Sequence, residues 1–559
     1  MLAVSDISKR YGEKLLFNKV SFIINHGERV GLVGPNGCGK TTLLRILLGE
    51  EQPDSGGVRF SIPPDKVGYL PQAFEQSRAA SVRSCLSPDA VESTALGERV
   101  QQLADHLSQA DLPDRTRVEA EYTAVVERLE AVGMAVQEHE LTEILYGLSL
   151  DDIDLDQSVD ILSGGQKTRL GLAQLLLRRP SFLILDEPTN HLDITGLEWL
   201  EAYLSRYRGA QIIVSHDRTF LDSTVTRILE LDPQTLRVTS YTGNYSAYAE
   251  ARQREKGKYE RTYKEQEVRI AQLQSAVRTL EGQARNIEGE TIDFYWRKRA
   301  LKVARQAVVR RKRVERMLAS EDHLEKPQLI WDMKLEFLNT PSSGQDVLIL
   351  DHLIKRFGDH LLFNDANLWL RRQERVVLLG SNGSGKTTLL RMIVGQEQAT
   401  SGAIRLGANV KVGYLAQGQE QVDPQATPYD LVRGCAALSE TKTRGFLHYF
   451  LFSGDKVFVP IGSLSYGERA RLALAMLVLQ ECNLLLLDEP INHLDIPSRE
   501  NFERALASFS GTVLAVVHDR YFTQRYATAV WAITDGTIRR YVDLAEMRQT
   551  RQSPDAELL

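Results

Sequence analysis

The sequence predicts an α/β protein in which two P-loop domains are joined by a long helical hairpin. Three observations support this fold class: the chain has 559 residues, one set of motifs occurs twice, and a strongly charged segment with helical periodicity separates the two copies. A chain of this length exceeds the usual size of a single domain, so each half can bury a core of its own.

The first repeated motif is a glycine-rich loop. Residues 34–42 read GPNGCGKTT, and residues 380–388, 346 positions later, read GSNGSGKTT. Both match the phosphate-binding pattern, in which glycines let the backbone bend around an anion at the positive end of a helix. We therefore expect a nucleotide at each loop. The residues expected to hold it are Gly34, Asn36, Gly37, Gly39, Lys40, Thr41, Thr42, Gly380, Asn382, Gly383, Gly385, Lys386, Thr387 and Thr388.

Buried strands follow each loop. The apolar runs 182–185 and 484–487 both lead into Asp-Glu-Pro, and short apolar runs of this kind are typical of parallel strands buried on both faces. Because such runs alternate with helical stretches, each half should form a sheet covered by helices on both sides.

The repeat has one long interruption. Tyr11 pairs with Phe357 and Gln72 with Gln417 at offsets of 346 and 345, whereas Ser163 pairs with Ser465 at 302. The first half therefore contains about 43 additional residues, which we expect to form a helical arm within 92–139. Two helices that merely enlarge the first core are an equally good alternative.

These offsets give predicted domain boundaries. The first α/β domain is expected at 1–243, the linker at 244–326, the second α/β domain at 327–545 and a short polar tail at 546–559.

Acidic and histidine residues repeat after the buried strands. Phosphoryl transfer needs a cationic clamp, a carboxylate for the metal and a residue that orients water. Asp186 and Asp488 are the candidates for Mg²⁺, together with Thr41 and Thr387. The candidates for orienting water are Glu187 and Glu489. The candidates for contact with the terminal phosphate are His216 and His518. Tyr11 and Phe357 either stack on adenine or belong to the core.

The order of these motifs resembles the nucleotide-binding domain of the ATP-binding-cassette superfamily. Phosphate loop, glutamine loop, Leu-Ser-Gly-Gly-Gln segment, Leu-Asp-Glu-Pro strand, Asn-His-Leu-Asp loop and switch histidine follow one another in both halves. The resemblance implies that Gln72 and Gln417 contribute to the metal site. It also implies that the serine-glycine segments bind the ATP of the other domain through Ser163, Gly164, Gly165, Gln166, Ser465, Gly467 and Glu468.

Each ATP would then be shared between the halves. Lys40 would act with Ser465 in one site, and Lys386 with Ser163 in the other, so that ATP closes the two domains and hydrolysis loosens them. The second serine segment departs from the pattern, since Tyr466 and Glu468 replace a glycine and the glutamine. We therefore predict that the two sites turn over at different rates.

Tandem cassettes without membrane spans resemble the ABC-F family, and the linker strengthens this resemblance. Residues 248–285 predict one helix of about 57 Å, ended by Asn286 and Gly289, and Thr291 can cap a returning helix. The apolar seam of the hairpin is expected at Ile270, Leu273, Val277, Leu280, Ala284, Leu301, Ala304, Val308 and Val314.

The returning helix is strongly basic although the whole chain has a net charge of −6. Such a run is typical of a solvated face or of an RNA-phosphate contact, and we favour RNA. Phe294, Tyr295 and Trp296 beside the bend either stack on bases or pack between the helices. The candidate RNA-binding residues are Arg297, Lys298, Arg299, Lys302, Arg305, Arg310, Arg311, Lys312 and Arg313.

The resemblance implies a cytoplasmic, ribosome-binding ATPase that uses ATP and Mg²⁺. Its hairpin would enter the exit site and act on peptidyl-site tRNA or the peptidyl-transferase region, with rRNA and tRNA as partners. Binding to a membrane or to DNA is not expected. The two cassettes are expected to pair with each other within one monomer. We prefer antibiotic resistance by ribosome protection, with a general translation factor as the alternative and the soluble ATPase subunit of a transporter as a second alternative.

Overall fold

Each half of the repeat folds around a six-stranded sheet. The computed structural model describes residues 1–71, 81–86, 99–101, 103–104, 107, 118, 121–126, 138–290, 294–320, 324, 343–416, 423–436, 438–491 and 494–552. The chain divides into two compact units, one formed by Met1–Tyr245 with Met333–Leu559 and the other by Ser246–Asp332. The first unit holds both cassettes, and the second holds the linker.

The first cassette alternates strands with helices. Its strands are β1 Leu2–Tyr11, β2 Lys14–Ile24, β3 Arg29–Val33, β4 Ser55–Phe60, β5 Val67–Leu70, β6 Phe182–Asp186, β7 Ala210–Val214, β8 Arg227–Asp232 and β9 Arg237–Thr242. Its helices are α1 Lys40–Leu48, α2 Val82–Leu86, α3 Glu138–Gly147, α4 Gly164–Leu177, α5 Ile194–Arg206 and α6 Arg218–Thr224, with 3₁₀ turns at Pro64–Lys66 and Val159–Ile161.

The linker unit contains two helices, α7 Tyr245–Glu290, whose first residue belongs to the cassette unit, and α8 Phe294–Leu318. α7 has 46 residues, which corresponds to about 69 Å. Asn286, one of the two predicted breaks, lies inside α7, so that part of the prediction is wrong, whereas α7 ends at Glu290, one residue after the predicted break at Gly289. A single glycine or asparagine costs a helix only about 1 kcal/mol, which a long helix tolerates. Thr291, the predicted cap, lies outside the described residues.

The second cassette repeats the first. Its strands are β10 Asp346–Phe357, β11 His360–Arg371, β12 Arg375–Gly380, β13 Ser401–Leu406, β14 Val412–Leu415, β15 Leu484–Asp488, β16 Thr512–Val516, β17 Ala529–Thr534 and β18 Thr537–Tyr541. Its helices are α9 Lys386–Ile393, α10 Pro428–Cys435, α11 Glu440–Tyr449, α12 Tyr466–Leu479, α13 Ile496–Ser508, α14 Arg520–Tyr526 and α15 Leu544–Gln552, with 3₁₀ turns at Gly454–Phe458 and Ile461–Ser463.

The large sheets have the strand orders β5-β6-β7-β3-β8-β9 and β14-β15-β16-β12-β17-β18. All pairs are parallel except β8 with β9 and β17 with β18. A three-stranded antiparallel sheet, β2-β1-β4 or β11-β10-β13, completes each cassette. Every residue of β6 and β15 is buried, which confirms the predicted fold class and both predicted strands.

This topology positions the site. β6, β7 and β3 are neighbours and run parallel, as do β15, β16 and β12. Their carboxyl ends therefore meet at one edge of each sheet, where parallel α/β folds bind ligands. The phosphate loop follows β3, the acidic pair ends β6, and the switch histidine follows β7.

The hairpin seam agrees with the prediction on one helix and differs on the other. On α7, Ile270, Val277 and Ala284 are buried. On α8, Val314 is buried, but Leu301 and Val308 are 60% and 46% exposed, and Ala307 is buried instead. The buried stripe of α8 is thus displaced by one position at 308, because a short apolar pattern in a basic helix fits more than one face.

The predicted arm at 92–139 lies mostly outside the described residues. Within the described part, Arg99 and Glu121 form an ion pair of 2.8 Å between two helical stretches, and Leu103 is buried. The choice between a projecting arm and a larger core stays a prediction.

Candidate functional site: two nucleotide cavities

The phosphate loops join the central strand of each sheet to the next helix. β3 leads through residues 34–39 into α1, and β12 leads through residues 381–385 into α9. Gly39 and Gly385 precede the helices with φ of 104° and 94°, a backbone conformation that glycine adopts without strain. A β-carbon at Gly385 would also lie 2.8 Å from the ring of Phe363.

The lysines of these loops are buried against loop carbonyls. Lys40 Nζ donates to the oxygens of Gly34 and Pro35 at 2.8 and 3.2 Å. Lys386 Nζ donates to the oxygens of Gly380 and Ser381 at 2.9 and 2.8 Å. Each ammonium group therefore adds its charge to the positive end of α1 or α9, an arrangement suited to phosphate.

Buried carboxylates stand beside each lysine. Thr41 Oγ1 donates to Asp186 Oδ2 at 3.0 Å. Burial raises the pKa of the Asp186 carboxyl group. Burial also raises the pKa of Asp488 to about 6 and the pKa of Glu187 to about 7. Such poorly compensated acidic groups, with threonine hydroxyls nearby, fit Mg²⁺.

The residues that would hold the ion are Thr41 and Asp186 in one cassette, and Thr387 and Asp488 in the other. When bound, Mg²⁺ would supply positive charge to the phosphate oxygens. Gln72 and Gln417, the other predicted metal ligands, lie outside the described residues.

The next acidic residue in each cassette faces the switch histidine. Glu187 Oε1 lies 3.4 Å from His216 Nε2, and Glu489 Oε1 lies 3.7 Å from His518 Nε2. Both glutamates have positive φ, 56° and 50°, a conformation that concentrates at functional sites in non-glycine residues. Burial lowers the pKa of His518 to about 4, so its neutral ring can donate one hydrogen bond to a phosphate oxygen.

The two aromatic candidates for adenine are not core residues. Tyr11 and Phe357 are 50% and 49% exposed, which removes the core alternative. Lys9 Nζ lies 5.4 Å from the centre of the Tyr11 ring, and Lys355 Nζ lies 4.3 Å from that of Phe357. Each aromatic residue is therefore about half exposed and already has a lysine ammonium group over its ring.

The serine-glycine segments begin α4 and α12 with capping boxes. Ser163 accepts from the backbone of Gln166, whose side-chain oxygen accepts from the Ser163 amide at 2.9 Å. In the second segment Ser465 Oγ donates to Glu468 at 2.9 Å, and Lys456 Nζ lies 2.9 Å from the same carboxylate. Although burial opposes the shift, these hydrogen bonds lower the pKa of Glu468 to about 2. An anion would therefore meet a fixed negative charge beside Ser465 and none beside Ser163.

Site 1, the cavity at Lys40, has a volume of about 580 Å³, within the range of about 300–1,000 Å³ typical of ligand pockets. Second-cassette residues close it: Arg499 lines the cavity, and the Asn36 amide donates to Asp495 Oδ2 at 2.8 Å. Ser465, its predicted partner, is absent from the described lining. The full described lining is Tyr11, Leu16, Asn36, Gly37, Gly39, Lys40, Thr41, Thr42, Asp186, Glu187, Asn190, Val214, His216 and Arg499.

Site 2, a cavity of about 190 Å³, combines the serine segment of the first cassette with the acidic residue and histidine of the second. Ser163 and Gly165 share its lining with Asn382, Glu489 and His518. Asn382 Nδ2 also donates to the His191 oxygen at 3.0 Å. The cavity therefore contains residues of both cassettes, although Lys386, the lysine that the resemblance pairs with Ser163, is not among its described lining residues.

Two ion pairs, one buried and one partly buried, also join the cassettes. Arg218 binds Glu503, and Arg520 binds Glu201. The two pairs are related by the same 302-position offset as the motifs, and each arginine lies two residues after a switch histidine. Each of these contacts between the cassettes therefore lies next to a switch histidine in the chain.

Sequence reasoning missed Asp193, Asp495 and Arg499. The aspartates were visible in the repeated Asn-His-Leu-Asp motif, and both cap a helix, α5 or α13. Arg499 had no signal, because its counterpart at the same offset is Leu197. Only the contact between cassettes reveals it.

The folds and the shared cavities define a tandem-cassette ATPase, and comparison with known proteins gives its family. A sequence profile described as ABC transporter matches residues 17–190 and 363–492, and a second profile with that description matches 230–337. The putative ATP-binding protein YdiF of Bacillus subtilis (strain 168) is 36% identical over 565 residues, which cover 100% of this chain and 84% of YdiF.

ABC transporter F family member 5 of Arabidopsis thaliana is 35% identical over 545 residues, covering 96% of this chain and 75% of that protein. The chain belongs to the ABC-F family of ATP-binding-cassette ATPases. A solved structure of the archaeal ribosome recycling factor aABCE1 with the stalk protein aP1 has the same fold, with a TM-score of 0.61 at 20% identity over 98% of this chain and 92% of that one. None of the described helices is both long and apolar enough to cross a membrane.

Proposed function

We propose that this protein is a cytoplasmic ATPase that binds the ribosomal exit site in its ATP-bound, closed state. Its hairpin would then act on peptidyl-site tRNA or on the peptidyl-transferase region. The observation that carries the proposal is the row of exposed cations on α8, on a chain whose overall charge is negative.

The cations of α8 form a stripe. Lys298, Lys302, Arg305, Lys312 and Arg316 recur at helical spacing, and all five side chains are exposed. The stripe extends for about 27 Å along the helix, which suits contact with several successive phosphates. Binding through such contacts releases counterions and weakens steeply with salt.

The hairpin is stiff enough to present this stripe. Its two helices bury Ile270, Val277, Ala307 and Val314 between them, and Arg311 of α8 forms an ion pair with Glu281 of α7. A long paired-helix element supports a tip far from its base better than a flexible linker does. A transporter ATPase subunit has no need of such an element.

Nucleotide-driven closure supplies the switch. ATP favours the closed cassettes only to the extent that it contacts that arrangement better than the open one. Site 2 has serine-segment residues from one cassette and catalytic candidates from the other, so its nucleotide would make that difference. The fold neighbour described as a ribosome recycling factor supports the assignment by analogy.

Co-sedimentation with ribosomes tests the proposal. The Glu187→Gln/Glu489→Gln protein, which should hold ATP without hydrolysing it, is expected to pellet with ribosomes at least about ten times more in ATP than in ADP. Equal pelleting in both nucleotides, or no pelleting, would remove the proposed mechanism.

A charge-matched pair of variants isolates the hairpin. Changing Lys298, Lys302, Arg305 and Lys312 to glutamine should weaken ribosome binding and flatten its salt dependence. The control carries the same change at four exposed cations of α7, Lys256, Lys258, Arg261 and Lys264. An equal loss in the control would mean that total charge, rather than the α8 stripe, binds RNA.

Within this function we prefer ribosome protection against antibiotics over a general role in translation. The preference rests on the aromatic residues 294–296 beside the bend, which suit displacement of a planar drug by stacking. Expression is expected to raise the tolerated concentration of at least one ribosome-targeting antibiotic by about fourfold or more in growth assays. Unchanged tolerance, with the Glu187→Gln/Glu489→Gln protein as the inactive control, would favour the general factor.

A further inference from the structure

The two cassettes differ in charge at one position of their interface. α5 and α13 are equivalent helices, each capped by an aspartate, and their residues correspond at an offset of 302. At the fourth helical position the first cassette has Leu197 and the second has Arg499. At the interface between the cassettes, the second cassette therefore has a cation at a position where the first cassette has an apolar residue.

Arg499 is held firmly. It is only 7% exposed, its Nε donates to the Leu494 oxygen at 3.0 Å, and its Nη1 lies 3.3 Å from Asp519 Oδ2. Asp519 is the residue that follows His518. A buried arginine with two fixed contacts retains little rotamer freedom, so its remaining donors point in a set direction.

One side of Arg499 borders site 1. It shares that cavity with Lys40, Glu187 and His216 of the other cassette. Its charge also opposes the upward shift that burial imposes on the pKa of Glu187. Arg499 borders site 2 as well, but there it belongs to the same cassette as Glu489 and His518, and the equivalent residue of the opposite cassette is Leu197.

We propose that Arg499 is a trans-acting cation of site 1, which contacts the terminal phosphate of ATP bound at Lys40. In hydrolysis the water oxygen bonds to the terminal phosphorus while the bond from that phosphorus to the bridging oxygen breaks. The electron pair leaves with ADP, and the water proton passes to Glu187. Arg499 adds no atom and stabilises the charge on the phosphoryl oxygens, as arginines supplied across an interface do in other phosphoryl transfers.

With Arg499 in this role, the two nucleotide sites differ in the charges that surround the terminal phosphate. At site 1 the opposite cassette supplies Arg499, whereas the equivalent residue that the opposite cassette supplies to site 2 is Leu197. Ser465, the serine predicted for site 1, has the carboxylate of Glu468 beside it. Hydrolysis at site 1 would then require full closure, because the arginine arrives only with the second cassette. The inference rests on the proposed roles of Lys40 and Glu187, and it is independent of ribosome binding.

Vanadate trapping resolves the two sites. The protein is incubated with 8-azido-ATP, Mg²⁺ and orthovanadate, irradiated, digested, and the labelled peptides of each cassette are quantified. Arg499→Met is expected to reduce trapping in cassette 1 at least about ten times more than in cassette 2, and to lower kcat with less than a threefold change in KM. Arg499→Lys should restore part of the trapping.

Arg504→Met is the matched control, since it removes an exposed arginine from the same helix and should leave trapping in both cassettes within twofold. Equal loss in both cassettes, no loss, or the same loss from Arg504→Met would each overturn the proposal. Glu187→Gln checks its premise separately: if trapping in cassette 1 survives that change, the assigned chemistry of site 1 fails, whatever Arg499 does.

Discussion

Replacing Glu187 and Glu489 together by glutamine is expected to lower ATP hydrolysis at least about 100-fold, the usual contribution of a positioned acid or base. ATP binding should survive, because glutamine keeps the shape of the side chain and the loops around Lys40 and Lys386 stay intact. Phosphate release measures the first effect, and equilibrium binding of a fluorescent ATP analogue measures the second.

The single variants should differ from each other. Glu187 lines site 1 together with Arg499 of the opposite cassette, and Glu489 lines site 2 together with Ser163 and Leu197 of the opposite cassette. Glu187→Gln and Glu489→Gln are therefore expected to lose unequal fractions of activity. Identical losses would contradict the asymmetry. Glu440→Gln serves as a control, since this exposed carboxylate only pairs with Arg444 at 2.8 Å.

Repetition made most of the fold predictable. The buried runs at β6 and β15 and the loops before α1 and α9 were visible because each pattern occurred twice in one register. Parallel strands bring their carboxyl ends to one edge, so Lys40, Asp186 and His216 could be placed together before any coordinates were known. Local chemistry and sheet topology were sufficient for these features.

Features in which the two cassettes differ, or which depend on packing between the linker helices, were not predictable from the repeat. Arg499 differs from Leu197, so the repeat that revealed the other site residues concealed this one. The face of α8 was misjudged at Leu301 and Val308 because basic residues with long aliphatic stems surround a sparse apolar pattern. Asn286 did not end α7 for a related reason: pairing of the helices offsets a weak local propensity.

Breaking one of the ion pairs between the cassettes is expected to be strongly destabilising. Arg218 and Glu503 have side chains only 4% and 2% exposed, so Glu503→Gln leaves a buried arginine without its counter-charge. Such a loss typically costs about 3–5 kcal/mol, which should lower the apparent unfolding temperature by on the order of 10 °C. Differential scanning fluorimetry without nucleotide measures it.

The paired change separates charge from packing. Arg218→Met with Glu503→Met removes both charges, and replacing a buried pair by apolar side chains is often close to neutral, so the double variant should regain most of the lost stability. Arg444→Met with Glu440→Met applies the same cycle to an exposed pair, where each change should cost less than about 1 kcal/mol. If Glu503→Gln behaved like the exposed control, the ion pair between Arg218 and Glu503 would not hold the cassettes together.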